Sequence, residues 1–139
     1  MIIKPKKVQS GFTMIEIMVV VVIIAILAAF AVPIYIDYVE SARSSEAKSV
    51  MSSISNASDM YYQTTGTIPT SVEDMVTAGQ LTLKESTSKK WEFALKVNEL
   101  GGGEIVGTST DQMAGGAGKE ITYNRDVGRF TGYGTKEKN

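Results

Sequence analysis

The feature that most constrains this chain is a run of 20 residues without a charged side chain, residues 17–36, IMVVVVIIAILAAFAVPIYI. At a rise of about 1.5 Å per residue, a helix of this length spans about 30 Å, which is the thickness of a bilayer's hydrocarbon core. The alternative is a buried core helix of a globular protein. Such a helix needs apolar cover on every side, and the roughly 100 residues that follow are too few to supply it. The run therefore predicts a helix that crosses a membrane.

Charges on either side of this run indicate its orientation. Lys4, Lys6 and Lys7 precede it, whereas Asp37 and Glu40 follow it closely. Positively charged flanks stay on the cytoplasmic side of a membrane. We therefore expect a cytoplasmic N-terminus, with the rest of the chain outside.

A second helical pattern follows the apolar run. Apolar residues recur at close to 3.6-residue spacing, with mostly polar residues between them; these apolar residues are Val39, Ala42, Ala47, Val50, Ile54, Ala57 and Tyr61. The two patterns together predict one helix over residues 12–62, transmembrane over 12–38 and amphipathic over 39–62. Pro33 lies inside it and removes one backbone donor. Both a simple kink and a preset weak point in the helix fit this proline.

Residues 63–139 have the pattern of a small head. Two overlapping pairs fit a capping box before a short helix over residues 71–78; they are Thr70 with Glu73, and Ser71 with Asp74. From Trp91 to Val97, apolar and other residues alternate with the period of a half-buried strand. The last two of the further predicted strands flank a turn over residues 125–128, in which Gly128 is free to take positive φ.

These elements together predict an α+β fold. The expected sheet is an antiparallel β-meander of three to four strands over residues 91–133. It would pack on the amphipathic half of the long helix and cover the apolar faces of both elements at once.

Composition argues against an enzyme. The chain has no cysteine and no histidine, and its net charge is -1. Disulfides, thiolate metal sites and the commonest general base are therefore excluded. No phosphate loop or nucleophile elbow occurs. Asp111 and Asp126 stand in glycine-rich stretches, where aspartates are more often turn residues than calcium ligands. We expect no catalytic residue, no metal, no cofactor and no nucleic-acid partner.

The residues before the apolar run differ from an ordinary secretory signal, which has its cleavage site after the apolar region. Here the small residue Gly11 lies before that region, between the lysines and Phe12. Glu16 then puts a carboxylate at the start of the run, where a charge is costly. It either reaches the lipid headgroups or has a positively charged partner, which a new amino terminus at Phe12 would supply.

This arrangement resembles the class III leader and stalk of type IV prepilins; the resemblance covers Lys6-Lys7-Val8-Gln9-Ser10-Gly11, Phe12, Glu16, the apolar run and Pro33. It implies the pilin fold. It also implies that a prepilin peptidase cuts between Gly11 and Phe12, removes the leader, residues 1–11, and N-methylates Phe12. The implied partners are other copies in a homopolymer, an inner-membrane platform protein and an assembly ATPase. The precursor would lie in the inner membrane, and the mature form in an extracellular or periplasmic filament.

Within this resemblance, Glu16 of one subunit is expected to pair with the methylated Phe12 amine of its neighbour. A subunit of a type IV pilus and a pseudopilin of a type II secretion system fit equally well, since processing and core chemistry are shared. A further alternative belongs to another class. A secreted binding module cleaved after Ala31 is possible because Ala29-Phe30-Ala31 offers a small-x-small site.

Overall fold

The computed structural model describes residues 11–135. The leader lysines Lys4, Lys6 and Lys7 lie outside the described residues, as do residues 136–139. The chain forms two compact units, one up to Ile36 and one from Asp37 onward. Helix α1, Met14–Thr65, contributes to both.

In the first unit, every residue over 11–36 is exposed. The helix is long and apolar enough to cross a membrane by length and composition. No face of it is polar enough to suit water, and nothing in a single subunit covers it. The apolar surface of this unit therefore needs lipid or other protein chains around it.

The second unit adds two short helices, α2, Val72–Thr77, and α3, Glu85–Lys90. A capping box starts α2: the backbone N–H of Asp74 donates to Ser71 Oγ, 3.2 Å, while Asp74 Oδ2 accepts from Ser71 N–H, 2.9 Å. The Thr70 hydroxyl also donates to Oδ2 at 2.8 Å. With Thr70 contributing most, these hydrogen bonds hold the pKa of Asp74 below its usual value. Nothing in the polar sequence of α3 predicted a helix there.

Four strands follow in a meander, and these are β1, Trp91–Val97; β2, Gly103–Ser109; β3, Glu120–Asn124; and β4, Arg129–Gly132. Their order in the sheet is β1-β2-β3-β4, and every neighbouring pair is antiparallel. One row of paired residues crosses the sheet from Leu95 through Ile105 and Tyr123 to Phe130. This architecture confirms the predicted α+β fold of a long helix and a small antiparallel sheet.

The core lies between the sheet and α1. The cluster contains Ala47, Met51, Ile54 and Ala57 of α1, Val72 and Met75 of α2, and Leu81, Trp91, Ile105, Met113 and Ile121. The buried face of α1 differs from the predicted stripe. Ala42 is exposed, whereas Ser44 and Ser58 are buried, at 0% and 3% exposure. Both serines have hydrogen-bond partners, which is what allows polar side chains to be buried.

The first of these serines lies at a contact that we call the Gly134 clamp. Ser44 Oγ donates to the Gly134 carbonyl at 3.3 Å, and Lys48 Nζ donates to the same oxygen at 2.6 Å. Burial lowers the pKa of Lys48. Gly134 has φ +65°, and a Cβ placed on it would lie 2.3 Å from Ser44 Oγ. Only glycine fits this approach of the chain to α1.

The second serine lies at a contact that we call the Arg125 clamp. Arg125 donates from Nε to Ser55 Oγ at 3.1 Å, from Nη1 to Ser58 Oγ at 3.2 Å, and from Nη2 to Asp59 Oδ1 at 2.6 Å. Nη1 also donates to the Gly101 carbonyl. The side chain of Arg125 is 7% exposed. A residue predicted only as part of a turn thus ties the β3–β4 loop to α1.

Candidate functional site

The candidate site is the short segment that precedes α1. Residues 11–13 are not helical, and the helix begins at Met14 rather than at the predicted residue 12. Thr13 explains this start. Its backbone N–H and its hydroxyl both donate to Glu16 Oε2, at 2.7 and 2.8 Å, and Glu16 N–H donates back to Thr13 Oγ1 at 3.3 Å. This is a capping box, which satisfies backbone donors that the first turn of a helix leaves unpaired.

Sequence reasoning missed Thr13. The signal was present, because Thr13-Met14-Ile15-Glu16 has the capping-box pattern of a threonine followed three residues later by a glutamate. The structure therefore gives Glu16 a partner inside its own subunit. Within the described residues, both of those hydrogen bonds end on Oε2, and none reaches Oε1. One carboxylate oxygen caps the helix, and the other is available to a further donor.

The peptide bond between Gly11 and Phe12 lies in exposed, non-helical backbone. Phe12 is 86% exposed. A Cβ built on Gly11 would meet no atom within 4 Å. A backbone segment outside a helix and open on all sides is suitable for a protease active site, because helical hydrogen bonding does not hold it.

The predicted site residues fall into two groups. Gly11, Phe12 and Glu16 lie together at the start of α1, whereas Pro33 lies well inside the helix, which continues on both sides of it. Asp126, weighed as a calcium ligand, accepts from Gly103 N–H at 3.3 Å and braces a loop. Over residues 11–135, no group of three or more Asp and Glu side chains could hold a metal ion.

Residues 6–32 match the prokaryotic N-terminal methylation motif. The chain belongs to the type IV pilin and pseudopilin family. The match covers most of the leader and most of the apolar run of this pilin-type protein, and the head lies outside it. No curated protein matches the chain. A prepilin-type leader implies processing by a prepilin peptidase and assembly into a filament, and with the apolar helix it fits a membrane-anchored precursor.

Proposed function

We propose that this protein is a structural subunit of a type IV pilus-like filament that polymerises through residues 12–38. The supporting observation is the fully exposed apolar surface of the first unit directly behind a methylation leader. In the precursor, lipid would cover that surface. In the filament, the same helices from other copies would replace the lipid, so that packing and polar contacts select the neighbour.

The proposed polar contact joins Glu16 of one subunit to the amino group of Phe12 in the next. After cleavage at Gly11, this amine is cationic whether or not it is methylated. Glu16 Oε2 would keep the Thr13 cap, and Oε1 would accept the neighbour's N–H. Inside a helix bundle without water, an unpaired charge is strongly penalised, so the pair would fix both register and recruitment. Glu16 need not give up its cap to form it.

Two measurements on cells expressing the full chain test this function. Mass spectrometry is expected to find a mature protein that begins at N-methylated Phe12. A chain beginning at Val32 would instead indicate secretion after cleavage at Ala31 and would overturn the proposal. Cutting between Gly11 and Phe12 would also support the proposed peptidase and the inner-membrane location of the precursor.

The second measurement is the yield of fibres sheared from cells. Glu16→Ala is expected to abolish or severely reduce it while membrane insertion remains normal, because only assembly needs the carboxylate. Glu16→Gln is the matched control for shape, since it can still accept from Thr13 but carries no charge. Loss of fibres in both variants supports the ion pair. Normal yield from Glu16→Ala would contradict the pairing.

Fibre length separates the two uses of this assembly. Long surface fibres that contain the chain would support a type IV pilus, driven by an assembly ATPase and a platform protein. A short periplasmic structure, detected only with the machinery of enzyme export, would support a type II secretion pseudopilin. Electron microscopy, followed by identification of the fibre protein, decides between them.

A further inference from the structure

A cavity of about 280 Å³ opens in the second unit beside the last turns of α1. We call it the tip cavity; its lining includes Asp59, Tyr62, Ile68, Pro69, Glu99 and Leu100. The loop between β1 and β2 forms one wall, and the segment before α2 forms another. An apolar wall that carries two carboxylates is typical of a recognition surface rather than of a packing defect.

The loop at this cavity is braced in place. Asn98 Oδ1 accepts from the backbone N–H of Leu100 at 3.1 Å and of Gly102 at 2.9 Å, and Arg125 donates to the Gly101 carbonyl. Even so, Leu100 is 96% exposed. The hydrogen bonds hold its side chain in water instead of letting it fold onto the head. Covering it with another protein surface would therefore be favourable without reordering the loop.

The charges of the cavity are unbalanced. Asp59 is paired with Arg125, 2.6 Å between Oδ1 and Nη2. Glu99 forms no salt bridge with any described residue. A lysine side chain from another molecule matches both features, because its aliphatic stem packs on Tyr62 and Leu100 while its ammonium meets Glu99.

The same head offers such a lysine at its other end. Lys84 is exposed, precedes α3 and forms no salt bridge with any described residue. Helix α3 is held to α1 by the Thr87 hydroxyl, which donates to Glu46 at 2.6 Å. Glu46 and Asp59 lie roughly 20 Å apart along α1 at the rise of a regular helix. The acidic cavity and the lysine therefore lie near opposite ends of one unit.

We infer that the tip cavity of one subunit binds Lys84 of another copy of this chain, a head-to-head-surface contact that rests on the proposed filament. Two different complementary patches on one molecule form a heterologous interface, and such interfaces propagate into rings or helical filaments. The contact would complement the packing of the N-terminal helices and fix the order in which heads follow one another.

A charge-swap series in the full chain tests this contact through the yield of sheared fibres. Glu99→Lys is expected to lower the yield by about tenfold, since like charges facing each other at an interface are costly. Glu73→Lys is the matched control, an exposed glutamate outside the cavity, and is expected to leave the yield unchanged. Adding Lys84→Glu to Glu99→Lys is expected to restore most of it.

Disulfide trapping supplies a second readout, because the chain has no cysteine of its own. Leu100→Cys combined with Lys84→Cys is expected to give ladders of cross-linked subunits in oxidised fibres, and either change alone is not. Normal yield from Glu99→Lys, failure of the swap to restore fibres, or absence of the ladder would each overturn the contact. Those results would leave the proposed function intact where Glu16→Ala still abolishes fibres; fibres that lack the chain altogether would overturn both.

Discussion

Replacement of Arg125 by alanine is the most informative test of how the head is attached to α1. The change removes the donors to Ser58 Oγ and to the Gly101 carbonyl, as well as the ion pair with Asp59. Ser58 is 3% exposed, so water cannot replace the lost hydrogen bond without opening the core.

The magnitude follows from the exposure of each partner. A buried acceptor left without a donor costs about 1–3 kcal/mol. Asp59 is 63% exposed and regains water when its partner is lost, so the ion pair contributes no more than about 1 kcal/mol. We expect Arg125→Ala to lower the free energy of unfolding by about 3 kcal/mol. Asp59→Asn removes only the exposed partner and is expected to cost less than about 1 kcal/mol.

Urea unfolding of the full chain in detergent micelles measures both changes. The chain has a single tryptophan, Trp91, which is 1% exposed in the head core, so its fluorescence reports on the head alone. Lys96→Ala on the exposed face of β1 provides the control. An Arg125→Ala protein whose unfolding free energy stays within about 0.5 kcal/mol of the parent would refute the reasoning, because surface substitutions have effects of that size.

The same fluorescence assay covers two further predictions. Gly134→Ala is expected to cost about 2 kcal/mol, because positive φ strains alanine and its Cβ would displace Ser44; an unchanged midpoint would argue against the Gly134 clamp. The hydrogen bond from Thr87, with the nearby Lys90, holds the pKa of Glu46 below its usual value. Its contribution is therefore present above the unfolded-state pKa and lost as pH falls below about 4. Glu46→Gln is expected to weaken that pH dependence, and an identical pH profile would count against it.

Local patterns predicted much of the fold. The alternation that begins at Trp91 has the burial expected of β1, with Glu92 exposed and Phe93 partly buried. The Ser71 and Asp74 pair forms the capping box of α2. These features depend on residues close in sequence, where spacing and side-chain chemistry determine the structure directly.

Contacts between distant residues were not predictable in this way. The buried serines of α1 look like solvent-facing positions until Gly134 and Arg125 arrive, from 90 and 67 residues away. Arg125 itself stands in a turn sequence, and only the folded sheet brings it to α1. Helix α3 was missed because its single buried residue, Thr87, gives no apolar period.

At the candidate site, the sequence indicated Gly11, Phe12 and Glu16, which the structure places together at the start of α1. The cleavage and methylation of this segment remain predictions. Thr13 was recoverable from its spacing to Glu16, whereas the open Oε1 of Glu16 required the hydrogen-bond geometry.

The positions of the two clamps have a mechanical consequence. The Gly134 clamp contacts α1 at Ser44, and the Arg125 clamp contacts it at Ser58, roughly 20 Å further along the axis at the rise of a regular helix. A pulling force directed along α1 would load both attachments together, in shear, instead of peeling the sheet away from one end. With either attachment removed, the same force would open the head from that end, and rupture would need less tension.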